Sequence, residues 1–331
     1  MTPRRRAFLH LALGSLAALA PAGDGAALHW RERLLHGLGS TLRLRAGHAR
    51  AVVADAGLDA AVVALRRVER RMSLFDPASA LSTLNRDGVL HGPHPQLVEV
   101  LRLAADLAAR SDGAFDITVL PLWQAWHRAR LAGRAPADAE LRRAREAVDW
   151  RSVEVADDRI RLLRPRMAIT LNGIAQGFAA DRARDAMRAH GIEHALLDTG
   201  EWAPLGRAPD GRPWRLGLES PQPVPGAGAH AMLAVVRADG RAIATSSDAH
   251  DAFSSDRRHH HIFDPRRGES PTGLASVSVL APSAALADGL AKVLFMDSAD
   301  AALALARKWG VDALVVDKQG RMRASAGIDL G

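Results

Sequence analysis

Thr170-Leu171-Asn172-Gly173-Ile174-Ala175-Gln176-Gly177-Phe178 runs into apolar residues at helical spacing that continue to His190 and stop at Gly191. Two glycines four apart let a ligand come close to the backbone, and a helix start points its N–H groups at the same place. Asn172 is placed to cap that helix. Read alone, the stretch is either a phosphate cradle or an ordinary capped helix with small residues for packing.

Outward from this helix, residues 58–75, 96–110 and 137–148 carry helical periodicity, as do Ala284–Phe295 and Ala299–Trp309, the last closed by Gly310. Residues 152–163 alternate like a hairpin turning at Asp157-Asp158. Short strands are predicted at 195–197, 214–219, 275–281 and 313–317. Residues 231–237 and 241–245 read as two strands joined by an Asp239-Gly240 turn. Helices and strands come in unequal blocks without a βαβ rhythm. The expectation is an α+β fold, with mixed or antiparallel sheets packed by helices, formed by 23–331 as one domain.

The chain has 331 residues, 48% of them hydrophobic and 24% charged, with a net charge of +7. Arginines are spread along its length, and no basic run alternates with aromatics as a nucleic-acid groove requires, so no nucleic-acid partner is expected. Lysine occurs only at Lys292, Lys308 and Lys318. Cysteine is absent, which excludes disulfides, thiolate nucleophiles and iron–sulfur ligation. Residues 1–22 read as a twin-arginine export signal: Arg5-Arg6-Ala7-Phe8-Leu9-His10, a short apolar run, then Ala20-Pro21-Ala22 for cleavage. A periplasmic mature protein without a membrane span is expected, with retention of the leader as an anchor the other outcome.

A second stretch, His259-His260-His261-Ile262-Phe263-Asp264-Pro265-Arg266-Arg267-Gly268, brings histidines to the end of an extended segment just before a turn. Extended geometry puts His259 and His261 on one face and His260 on the other. His261 reads as a general base or phosphate contact, His259 with His261 as a metal pair, or all three as polar residues at a sheet edge. Thr245-Ser246-Ser247-Asp248 follows a strand and suits either phosphate contacts or a simple turn. Asp116, in Gly113-Ala114-Phe115-Asp116-Ile117-Thr118, reads as a brace for a loop. Asp288 stands in an apolar helix, where a carboxylate is costly unless paired or bound to metal.

In their order these motifs resemble the ApbE family of FAD:protein FMN transferases. The matching residues are Met72-Ser73, Ser79, Leu84-Asn85, Gly113–Thr118 with Pro121-Leu122, and Leu171 with Gly173-Ile174-Ala175 and Gly177. They continue with Asp198-Thr199-Gly200-Glu201, Thr245-Ser246, His261-Ile262 with Asp264-Pro265-Arg266 and Gly268, and Ala287-Asp288. The resemblance implies that FAD is the substrate, that FMN passes to a threonine or serine hydroxyl of an acceptor flavoprotein, and that AMP leaves. It implies FAD contacts at Met72, Ser73, Phe75 and Asp116, at Asn172, Gly173, Gln176 and Gly177, and at Thr245, Ser246, Asp248, His261 and Lys292. His261 corresponds to the active-site histidine, and the Ala175 carbonyl and Asp288 correspond to ligands of a magnesium ion. The 172–177 and 198–201 motifs look most similar to the branch associated with nitrous-oxide respiration, whose acceptor is membrane-anchored.

Four positions depart from the family pattern. Lys292 stands where a threonine usually supplies the third metal ligand, and an ammonium cannot coordinate a cation. It can pair with Asp288 or hold a pyrophosphate oxygen instead. Gln176 stands where a lysine is usual, Ala80 where an acidic residue is usual, and Ser247 where a glycine is usual. Two other readings therefore stay open: a hydrolase splitting FAD into FMN and AMP, and an FAD-binding protein of reduced activity.

Overall fold

Leu274–Ala281 is the strand around which the chain is organised, and all eight of its residues are buried. A strand buried on both faces has to lie between two layers. Val277, Val279 and Ala281 enter one hydrophobic core and Leu280 enters another, as the period of two requires. The computed structural model describes residues 27–222, 231–249 and 251–331. The export signal expected at 1–22 lies outside the described residues.

In chain order the elements are β1 (His29–Gly37), β2 (Ser40–His48), α1 (Ala51–Met72), α2 (Ala80–Asp87), β3 (Val89–His91), α3 (Pro95–Arg110), α4 (Leu120–Leu131) and α5 (Asp138–Glu146). There follow β4 (Val153–Val155), β5 (Arg159–Leu162), α6 (Ala175–Ala189), β6 (His194–Asp198), β7 (Trp202–Leu205), β8 (Arg215–Glu219), β9 (Met232–Arg237) and β10 (Ala242–Ser247). The chain ends with β11 (Leu274–Ala281), α7 (Ala284–Phe295), α8 (Ala299–Trp309), β12 (Asp312–Asp317) and β13 (Met322–Ala324).

Eight strands form the main sheet in the order β1-β2-β6-β7-β10-β11-β12-β13. Each pairing in it is antiparallel, which places the chain in the α+β class. One face is covered by α1, α6 and α7. Helix α1 turns Ala54, Leu58, Ala61, Leu65, Val68 and Met72 inward at three- and four-residue spacing. Helix α7 is apolar on nearly every side and is correspondingly buried. Its start is capped twice, by Ser283 and by a residue of another helix: the Asp181 carboxylate accepts from the Ala284 and Ala285 amides at 2.8 and 2.9 Å. Arg184 pairs with Asp181 at 2.9 Å, so the capping carboxylate is not left as an isolated buried charge.

The other face of the sheet carries the two-stranded unit β8-β9, whose Trp214, Leu216, Leu218 and Val236 pack on Ile243, Leu280, Leu314 and Val316. This arrangement corrects the hairpin expected across Asp239-Gly240. β9 pairs with β8, whereas β10 pairs with β7 and β11. The turn carries the chain from one layer to the other. Arg241 holds that crossing through ion pairs with Asp239 and Asp312, both at 2.6 Å. A third sheet, β3-β5-β4, contains the hairpin expected at 152–163.

Candidate active site

A cleft of about 880 Å3 opens where the start of α6, the end of β10, the middle of α7, the 114–120 turn and the 259–265 loop converge. Asn172, Gly173, Gln176, Thr245, Ser246, Asp116, Phe75, His261 and Lys292 all line it. Stretches that are far apart in sequence therefore meet at one place.

Four residues expected at the site do not line the cleft, and two expected details change. Met72 is 3% exposed and belongs to the core. Ser73 braces the start of α2, its carbonyl accepting from the Ser79 hydroxyl at 2.6 Å. Gly177 lies against the next helix, where a Cβ would meet the Ala284 carbonyl oxygen at 2.2 Å, so its glycine serves packing. Asp248 is fully buried behind the lining residue Ser247 and held by Arg257 and Lys318. Asn172 does not cap α6; that helix begins after Ile174, which offers no side-chain cap. Nor are the first N–H groups of α6 all free. The Ala175 amide donates to Leu171 and the Gly177 amide donates to Asp288 Oδ2 at 3.2 Å, so the carboxylate at this helix start is the protein's own.

The histidine run divides between the core, the cleft and an aromatic stack. His260 points inward and is fully buried. Its Nε2 donates to the Pro271 carbonyl at 3.0 Å, and its amide donates to Ser270 Oγ at 2.9 Å. Burial holds its pKa down to about 4, with the Pro271 hydrogen bond opposing that shift. His261 is thereby aimed into the cleft, and His259 stacks on Trp126 with ring centres 4.5 Å apart. The Asp264 turn closes behind them, with the Gly268 amide donating to the Asp264 carbonyl at 2.7 Å. Among the described residues, no group of three or more His, Asp or Glu side chains gathers to hold a metal ion.

Asp116 is the brace its sequence context suggests. It accepts from the Thr118 amide and hydroxyl at 2.7 and 2.6 Å and from the Trp150 amide at 3.1 Å. Burial raises its pKa, and those hydrogen bonds pull the other way. Gln176 reaches the turn after β6, donating to the Thr199 carbonyl at 3.4 Å. Gly200 in that turn has φ +93°, a conformation that favours glycine.

Two residues that matter here were quoted from sequence only within family motifs, with no site role given to them. Asn85 clamps the strand-like segment before α6, exchanging 2.7 and 2.8 Å hydrogen bonds with the Ile169 backbone. Glu201 lines the cleft while only 5% exposed, and its Oε2 accepts from the Thr245 amide at 3.1 Å. Burial first, and the charge of Asp288 second, push the Glu201 carboxyl well up, while Lys292 pulls it down. The available signal was a glutamate directly before the apolar β7 segment, inside the Asp198–Glu201 motif.

Asp288 is fully buried. Its Oδ2 faces the Gly177 amide and its Oδ1 is ion-paired with Lys292 Nζ. Burial tends to lower the lysine's pKa, but the charges of Asp288 and Glu201 outweigh it, so Lys292 remains a cation. This donor set does not fit magnesium. Both carboxylate oxygens are engaged, and an ammonium occupies the flank from which a third ligand would come.

Residues 38–315 match the ApbE family. An FAD:protein FMN transferase of Treponema pallidum is 30% identical over 316 residues, spanning 88% of this chain and 85% of its own. The ApbE protein of Thermotoga maritima superposes with a TM-score of 0.79 at 24% identity, covering 90% of this chain and 97% of its own. The flavin transferase ApbE of Vibrio cholerae gives 0.76 at 25% identity, covering 90% and 98%.

Proposed function

The chain belongs to the ApbE family, and from that premise we propose that it is an FAD:protein FMN transferase working in the cleft described above. The observation that carries the reading is the meeting of His261, the Asn172-Gly173 backbone and Lys292 in one cleft large enough for a dinucleotide. Phe75, Phe115, Trp123, Met167 and Met296 supply apolar and aromatic wall for the flavin, and the polar floor at Glu201 and Thr245 lies towards the phosphates.

In the proposed step, an acceptor hydroxyl oxygen attacks the FMN-side phosphorus of FAD. A new phosphoester bond forms, the bridging P–O bond breaks, and AMP leaves with the bridging oxygen. His261 takes the hydroxyl proton. Positioning and charge neutralisation carry most of the rate of phosphoryl transfer, and a general base contributes about 10²–10⁴-fold.

The acceptor we propose is a flavoprotein carrying a threonine or serine site and lying outside the cytoplasm. The twin-arginine pattern read in residues 1–22 supports export, and the resemblance of the 172–177 and 198–201 motifs to the nitrous-oxide branch supports a membrane-anchored acceptor. No helix among the described residues is long and apolar enough to cross a membrane. The test is incubation of the protein with FAD and such an acceptor, followed by mass spectrometry of the acceptor. A covalent FMN adduct is expected. Free FMN and AMP without an adduct would establish hydrolysis, and intact FAD would establish binding alone.

A further inference from the structure

We propose that Lys292 is the built-in cation of this cleft, its ammonium facing the FAD pyrophosphate in place of a divalent ion at Asp288. The inference rests on the cleft being the FAD site.

Three observations carry it. Lys292 lines the cleft with its side chain 21% exposed, while its partner Asp288 is at 0%. The carboxylate is therefore withdrawn from the cleft, and the member of the pair that meets a ligand is the lysine. Second, the lysine is held in place. A Cβ on Gly173 would lie 3.5 Å from Lys292 Cε and 3.5 Å from the Phe115 ring, so the stem passes directly beside the start of α6. Third, 44 residues are lysine or arginine, yet only three are lysine. A compact ammonium concentrates its charge as a metal ion does, whereas a guanidinium spreads it over a planar fork.

Lys318 provides the contrast. It pairs with Asp248, another fully buried aspartate, but Arg257 shares that carboxylate and none of the three lines the cleft. That pair is structural. Lys292, by contrast, lines the cleft itself.

The test measures binding and does not depend on turnover. FAD affinity of the full chain is followed by flavin fluorescence in EDTA and in excess magnesium. Manganese binding is followed by electron paramagnetic resonance, with and without FAD. The wild-type protein is expected to bind FAD within about twofold equally in both buffers and to leave manganese free. Lys292→Met is expected to lose about tenfold or more of its FAD affinity in EDTA and to regain it with manganese, now bound at the exposed Asp288. Should that variant not fold, the wild-type measurements decide alone. Stoichiometric manganese on the wild type, or an FAD affinity that collapses in EDTA, overturns the proposal while leaving the transferase reading intact. Failure to bind FAD in either buffer sinks both.

Discussion

The Glu201 carboxylate accepts from the Thr245 amide at 3.1 Å, tying the turn before β7 to β10 at the floor of the cleft. The tie is made by a buried acid whose folded-state pKa is raised well above its ordinary value, burial being the larger cause. A raised carboxyl contributes stability that is present below its unfolded pKa of about 4.5 and is lost as pH rises through the folded value. Glu201→Gln keeps an oxygen for Thr245 and removes the titration. Its unfolding free energy, measured by urea titration from about pH 5 to about pH 8, should fall less with rising pH than that of the wild type. Parallel curves for the two proteins would show that Glu201 does not titrate in this way.

His261→Ala should retain FAD affinity and lose about 10²–10⁴-fold in the rate of FMN transfer. Flavin fluorescence gives the first quantity, and single-turnover labelling of the acceptor gives the second. A variant that transfers at the wild-type rate removes the general-base role.

His260 predicts acid sensitivity. Its folded-state pKa, lowered to about 4 chiefly by burial, lies below the ordinary value of about 6.5. Between these values the unfolded chain takes up the proton and the folded chain does not, so stability declines as pH falls through that window. The total loss is roughly 3 kcal/mol, complete below about pH 4. His260→Leu should flatten this part of the stability profile, and an equally steep decline in the variant would assign the loss to other groups.

Asp181→Ala removes a carboxylate that caps α7 and pairs with Arg184, leaving a buried guanidinium uncompensated. A cost of about 3–5 kcal/mol is expected in urea unfolding. Because α7 also carries Lys292, the folded fraction should bind FAD more weakly. A loss below about 1 kcal/mol would show that Ser283 alone caps the helix.

Gly177→Ala brings a methyl group against the Ala284 carbonyl and so pushes α6 away from α7. The overpacking should cost about 1–3 kcal/mol and loosen the Gly177–Asp288 hydrogen bond. A crystal structure of the variant with unchanged α6–α7 spacing would contradict this.

Part of this protein was legible in the residues because its signals are local. Helices α7 and α8 were expected with their observed bounds, since apolar periodicity and the closing Gly310 are signals carried within a few residues. The Ser283 and Ser298 caps seen in the structure are equally local. The β4-β5 hairpin followed from alternation around Asp157-Asp158. The ordered motifs also brought together the stretches that meet in the cleft, and the family match over 38–315 agrees with that reading. The hairpin β1-β2 carried weaker cues: its exposed face is studded with arginines, and its turn is Leu38-Gly39.

What the chain order could not decide is which buried groups answer one another across long separations. Asp239-Gly240 is a turn by its own chemistry, but only the packing of Trp214, Leu216 and Val236 on the main sheet determines that the strands it joins enter different layers. Asp248 and Asp288 are both aspartates near candidate motifs; folding gives one Arg257 and Lys318 and the other Gly177 and Lys292. The physical reason is that capping and periodicity act within a few residues. The partner of a buried charge is chosen instead by desolvation in the finished core, when every group there must be matched by whatever the fold has brought beside it.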